Sequence, residues 1–173
     1  MVRECLDTRT PFGMLLALPN GMAGMGCTAE ILEVTKRYPD GRYDIVTIGR
    51  SPFRIVELFD HEPLLRGDVD FLEDRPSPTN PLVCRELNDL YETCHTLIFG
   101  DCPGDLACGD DADISYAVAA KLPMELLWKQ RILELRSEAE RQERLVAYLR
   151  EWAPHLEQVT ALRARSAGGH GFN

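Results

Sequence analysis

Long hydrophobic runs are missing from this chain of 173 residues. The longest, Met14 to Leu18, falls far short of the roughly 20 residues that span a bilayer as a helix. Arg3, Glu4 and Asp7 interrupt any apolar core of a secretory leader at the start. Basic charge is also scarce, with 19 Lys and Arg against 28 Asp and Glu, for a net charge of −9. Such a surface has no cationic surplus to release counterions from a polyanion, which argues against general nucleic-acid binding. Several chemical motifs are lacking too. No G-x-x-x-x-G-K-[ST] loop is present to cradle phosphates. No G-x-S-x-G turn presents a nucleophilic serine. His61, His95, His155 and His170 form no H-x-x-x-H pair, and no C-x-x-C occurs among the six cysteines.

What is present is the composition of an ordinary folded protein, 45% hydrophobic and 27% charged. A chain of this length is read as one domain or little more. It buries about 70% of its unfolded surface without needing disulfides or metal. The composition points to a soluble protein of the cytoplasm. Residues 81–115 hold one basic side chain and eight acidic ones, so this stretch carries −7 of the −9. Asp101, Asp105, Asp110, Asp111 and Asp113 lie in one short loop. Without a D-x-[DN]-x-[DN]-G run this is a solvated acidic loop rather than a calcium site. Cys84, Cys94, Cys102 and Cys108 share that region with His95 at spacings of nine, seven and five residues. Two thiolates cannot grip one ion from a tight turn at such spacing, so no metal or other cofactor is expected. Reduced thiols are the favoured reading for all six, including Cys5 and Cys27, with a loop disulfide such as Cys102–Cys108 as the alternative.

The first 75 residues read as β structure. Phe12–Leu18 is a continuous apolar strand. The glycine-rich stretch from Gly21 to Gly26 interrupts it as a turn or flexible loop carrying Met22 and Met25. Cys27–Lys36 and Tyr43–Ile48 alternate as two strands joined at Asp40-Gly41, where a tight hairpin turn would place both central residues at positive φ. Gly49 and Pro52 suggest a bulge or bend, with Phe53–Phe59 and Val69–Leu72 as further strands. Short strands with Gly and Pro corners suggest a small, partly closed barrel.

After Arg75-Pro76-Ser77-Pro78 the period becomes helical. Asn80-Pro81 is an N-cap followed by proline at the first helical position. Val83, Leu87, Leu90, Tyr91, Cys94, Leu97 and Ile98 then form one stripe through Phe99. A second helix covers Ile114–Lys121. A third opens at Pro123, with Leu126, Leu127, Ile132 and Leu133 as its apolar residues. Ser137 with Glu140 marks a capping box for a fourth, carrying Leu145, Val146, Leu149 and Trp152. Pro154 is expected to end that helix and begin a last short one. The expected division is 1–75 as a β domain, 76–163 as a helical subdomain and 164–173 as a disordered tail, an α+β fold.

Several short motifs, in order, resemble the N-terminal domain of Lon proteases, which also occurs as free-standing bacterial proteins. They are Pro11-Phe12-Gly13, Gly26-Cys27-Thr28-Ala29-Glu30-Ile31, Asp40-Gly41-Arg42-Tyr43-Asp44-Ile45 and Gly49-Arg50-Ser51-Pro52-Phe53-Arg54-Ile55. In the helical half, Leu122-Pro123, Lys129-Gln130 and Ile132-Leu133-Glu134 continue the likeness to about residue 152. Pro52 departs from the pattern, standing where the family has arginine. The resemblance implies a PUA-like β-barrel followed by a helical bundle. It also implies binding of proteins or peptides without cutting them, since the ATPase and Ser–Lys peptidase of Lon lie in later domains. Partners would be unfolded or apolar protein segments, or a protease or ATPase partner. The family pattern has a strand ahead of Met1–Leu6, which read as the tail of a helix with Met1, Val2, Cys5 and Leu6 on one face. The resemblance therefore implies an incomplete β domain with an exposed sheet edge. The alternative function is that of PUA-like barrels in RNA-modifying enzymes, which the charge disfavours.

Candidate peptide-binding residues are Met22, Met25, Arg50 and Phe53. Flexible thioethers accept varied apolar side chains, and a cation beside an aromatic is a common interface anchor.

Overall fold

A computed structural model describes residues 1–59, 64–104, 106 and 114–168. Expectations for His61, Asp105, Cys108, Asp110, Asp111, Asp113 and His170 lie outside the described residues. The chain divides into two compact units, Met1–Glu73 and Asp74–Asn173. The class is α+β.

The first unit opens with helix α1, Val2–Thr8, which buries Cys5 and ends at Arg9 in the left-handed region (φ 57°). Four antiparallel strands follow: β1 Phe12–Leu18, β2 Gly21–Arg37, β3 Tyr43–Phe59 and β4 Arg66–Phe71. They pair in sequence order, so β1 and β4 are the two sheet edges among the described residues. The stretch from Gly21 to Gly26 is not a loop. It is the first third of β2, pairing with β1 through Leu18↔Gly21, Ala17↔Met22 and Leu15↔Gly26. At Gly26 the physical reason is close packing. A Cβ on Gly26 would lie 2.3 Å from the Met14 carbonyl oxygen and 2.8 Å from the Phe53 ring, so the missing side chain makes room for a neighbour.

The β2–β3 hairpin also differs in detail from the sequence reading. Only Gly41 has positive φ (90°). The Gly41 N–H donates to the Tyr38 carbonyl (3.1 Å) and the Tyr38 N–H to the Arg42 carbonyl (2.9 Å). This makes a three-residue loop of Pro39, Asp40 and Gly41. Proline's fixed φ suits the first central position of an ordinary turn, and glycine supplies the left-handed residue that closes it. Gly49 and Pro52 do not divide the return strand. β3 runs through them, and the register slips between Cys27↔Pro52 and Ala29↔Gly49, a bulge that bends the long ribbon.

Leu15, Gly26, Phe53 and Phe71 form one row across all four strands. Directly paired residues share a sheet face. Phe53 is 3% exposed at the centre of this row, whereas Phe71 at the edge is 64% exposed. Otherwise this unit's buried apolar residues are small or sulfur-bearing: Cys5, Ala23 and Ala29.

The second unit holds α2 Pro81–Phe99, α3 Ile114–Lys121, α4 Leu126–Glu134 and α5 Glu138–Gly168. The Asn80 side chain caps α2 by accepting from the Leu82 N–H (3.0 Å). Cys84, Leu87, Tyr91 and Cys94 are its buried stripe. With Val118, Leu122, Ile132, Leu145 and Leu149 they form the core of this unit. The third helix begins three residues later than Pro123 suggests. Leu126 and Leu127 are 66% and 55% exposed, because Leu122 and Met124, ahead of the helix, enter the core instead. Ser137 caps α5 as expected, accepting from the Glu140 N–H (3.3 Å).

Pro154 does not end α5, which continues to Gly168. Residues 164–168 are therefore helical rather than part of a disordered tail. Proline in a helix interior costs about 3 kcal/mol. Here its ring is on the exposed face, while Ala153 is buried and Trp152 and Leu156 pack on the core, which holds the helix through the break.

A buried ion network ties the start of this unit to its last helices. Arg141 is fully buried, and its guanidinium lies 4.2 Å from the centre of the Tyr116 ring. It donates to Ser115 Oγ (2.8 Å), Glu138 Oε2 (2.9 Å) and the Leu135 carbonyl (3.1 Å), and it pairs with Asp74. The Arg75 N–H donates to the Arg136 carbonyl (2.7 Å), and the Ser77 and Ser137 hydroxyls meet at 2.9 Å.

The cysteine reading needs one correction. Cys84 is disulfide-bonded, while Cys5, Cys27, Cys94 and Cys102 are free. One turn after Cys84, the Asn88 side chain binds both backbone groups of Leu106 at 3.2 and 3.3 Å. The helix thus holds Leu106, 18 residues further along the chain. His95 lies between Tyr91 and Phe99, edge-on to the first and tilted to the second, with centroid distances of 5.7 and 4.6 Å. Among the described residues no cluster of His, Cys, Asp and Glu could hold a metal ion.

Candidate functional site

The first unit carries an apolar groove of about 680 Å³. α1 supplies one wall through Met1, Glu4 and Cys5, and the chain from Thr10 to Gly13 continues it. Phe53, Ile55 and Val69 form the floor, and Met22, Leu58, Leu64 and Leu65 the rim. The floor exists because Phe53 lies across its neighbours. Its ring is within 3.1 Å of where a Gly13 Cβ would be, two strands away, and passes over Gly26 between them. The rim is wet, with Met22 41%, Leu64 38% and Leu65 50% exposed. Apolar side chains held open to water around a buried ring form a surface that gains free energy when covered, at about 25 cal/mol per Å². Its size is that of pockets that take small ligands or a few side chains of a peptide.

Of the four residues singled out from sequence, Met22 and Phe53 line this groove and Met25 and Arg50 do not. Phe53 is its buried floor rather than an exposed anchor. Arg50 is occupied by Glu30, with Nε 2.7 Å from Oε2 on the adjacent strand. Met25 is on β2, opposite Arg54. Sequence reasoning missed Leu58, Leu64, Leu65 and Val69, which come together only when β4 returns beside β3.

A second cleft of about 670 Å³ lies at the hairpin end of the same unit, lined by Val2, Arg3, Tyr38, Arg42, Tyr43 and Asp44, with Met1 and Gly41. Lys36 Nζ lies 4.6 Å and the Arg42 guanidinium 5.0 Å from the Tyr38 ring centre, and Arg37 lies 5.8 Å from that of Tyr43. The Tyr38 hydroxyl donates to Asp44 (2.8 Å). That bond, followed by desolvation, raises the phenol's pKa above its ordinary 10.0, so the Tyr38 ring is neutral at physiological pH.

The model of the substrate-binding domain of ATP-dependent protease La (LON) matches residues 1–151. The chain belongs to this family. Among solved structures, the Lon N-terminal domain protein from Xanthomonas campestris is similar, at 23% identity and a TM-score of 0.62. That match covers 85% of this chain and 80% of the other. The N-terminal domain of the Mycobacterium avium complex Lon protease is 16% identical with a TM-score of 0.46, covering 79% of this chain and 76% of that one. The Xanthomonas likeness shows a shared Lon-N fold. The family match covers a substrate-binding domain. Among the described residues no helix is long and apolar enough to cross a membrane.

Proposed function

We propose that this Lon-N chain is a non-catalytic module that captures apolar segments of unfolded protein substrates in the groove over Phe53. It would act in the cytoplasm, as a recognition or adaptor element for a protease or ATPase partner. The observation that carries the reading is the groove itself: a half-exposed apolar rim around a buried ring, in a member of a substrate-binding family. An extended segment placing two or three apolar side chains there would bind weakly and tolerantly, because Met and Leu rims adapt to shape. The net charge of −9 opposes nucleic acid as the general ligand.

The test is fluorescence anisotropy with a labelled apolar decapeptide and the whole chain. Replacing Met22 and Leu65 by serine removes exposed rim contacts, so affinity should fall at least about threefold with an unchanged melting curve, since exposed substitutions rarely cost more than about 0.5 kcal/mol. Unchanged affinity would place the binding surface elsewhere.

A further inference from the structure

The groove and the hairpin-end cleft adjoin, and they differ in chemistry. Met1 lines both. Beyond it α1 divides them, with Glu4 and Cys5 facing the groove and Val2 and Arg3 the cleft, as helical geometry of about 100° per residue requires. The cleft gathers positive charge in an otherwise acidic chain. Arg3 and Arg42 line it with the carboxylate of Asp44, Lys36 and Arg37 lie beside it over the rings of Tyr38 and Tyr43, and Asp40 is paired to Arg42. Both carboxylates are engaged, Asp40 with Arg42 (2.8 Å) and Asp44 with the Tyr38 hydroxyl (2.8 Å). Arg3, Lys36 and Arg37 form no ion pair among the described residues. The Arg42–Asp40 pair is itself 74% and 56% exposed, so an incoming carboxylate can replace its partner at little cost.

Resting on the groove as the site of capture, we infer that the cleft reads acidic side chains flanking the apolar segment, so that the preferred substrate is an apolar stretch followed or preceded by Asp or Glu. A peptide leaving the groove past Met1 enters the cleft. There its carboxylates meet guanidinium and ammonium groups held over aromatic faces, which limits the freedom these side chains lose on binding. A short acidic run suits the site better than a long polyanion, which a chain of net charge −9 repels as a whole.

The experiment uses the whole chain and three labelled peptides that share one apolar core, flanked by four aspartates, four serines or four lysines. Each is made with the flank at either end, and anisotropy is read at low and high salt. The aspartate peptide should bind about fivefold tighter than the serine peptide at low salt, in line with two or three exposed ion pairs. The advantage should shrink at about 0.5 M salt. Lys36→Glu with Arg37→Glu, both on exposed positions, should abolish or reverse that preference and leave the serine peptide's affinity unchanged. Equal binding of the three flanks would overturn the inference and leave the groove intact. No binding of any peptide would overturn the groove reading first. A single-stranded oligonucleotide bound through Lys36 and Arg37 in place of the acidic peptide would show that the cleft takes nucleic acid, and would also overturn it.

Discussion

Replacing Arg141 by methionine tests the ion network of the helical unit. Methionine keeps much of the stem volume and removes every donor. Lost at once are the bonds to Ser115 Oγ, Glu138 Oε2 and the Leu135 carbonyl, and the pairing with Asp74. Breaking a buried pair by removing one partner costs about 3–5 kcal/mol, because the remaining charge is left without compensation. Two features place this case at the lower end. Glu138 keeps three donors, the Ser115 N–H (3.0 Å), the Ser115 hydroxyl (2.5 Å) and Gln142 Nε2 (2.9 Å). The Asp74 side chain is 32% exposed and can turn to water. The expected loss is therefore about 3 kcal/mol. In a unit of this size 1 kcal/mol corresponds to about 4–8 °C, so the midpoint should fall by about 12 °C or more. Both tryptophans, Trp128 and Trp152, lie in this unit, so their fluorescence in a urea titration reports its unfolding rather than that of the sheet. Adding Glu138→Gln to the variant removes one stranded charge and should restore part of the loss. An R141M midpoint indistinguishable from that of the parent would refute the argument that this network holds the unit together.

Two further outcomes follow from single positions. Gly26→Ala puts a Cβ 2.3 Å from the Met14 carbonyl and should destabilise the sheet by about 1–3 kcal/mol, whereas Gly24→Ala, with nothing within 4 Å, should change stability by less than about 0.5 kcal/mol; circular dichroism melts compare them. Burial raises the Cys94 thiol from 9.0 to about 11. The unfolded chain therefore releases this proton first, and stability should fall as pH rises from about 9 to 11 and be insensitive to Cys94 below that window. Urea midpoints across this range should show a smaller decline in Cys94→Ala, and thiol reagents should modify exposed Cys102 before Cys94.

The helical unit was the more legible of the two because its signals are local. Asn80-Pro81 and Ser137 are caps whose partners lie two or three residues away. The stripe of Cys84, Leu87, Tyr91 and Cys94 repeats with the turn of a single helix. Pro154 misled for the complementary reason: its local cost is real, and the packing that offsets it comes from α2 and the rest of the core. In the β unit the strand segments were readable from alternation and turns, but Gly21 to Gly26 were not. Gly26 is explained by what approaches it, Met14 on one neighbour and Phe53 on the other, and no local pattern shows either contact.

By itself, the sequence determined the α+β class, the change of period after Pro78, the helix caps, the acidic balance and the order of motifs that resembles Lon-N. Each of these depends on residues within a few positions of one another, or on sums over the chain. Only the tertiary structure decided which side chains share a surface. It placed Met22 beside Leu58, Leu64 and Leu65, made Phe53 a floor, and turned Arg50 toward Glu30. Strand register sets these neighbourhoods, and a slip of one residue moves every side chain of a strand to the other face.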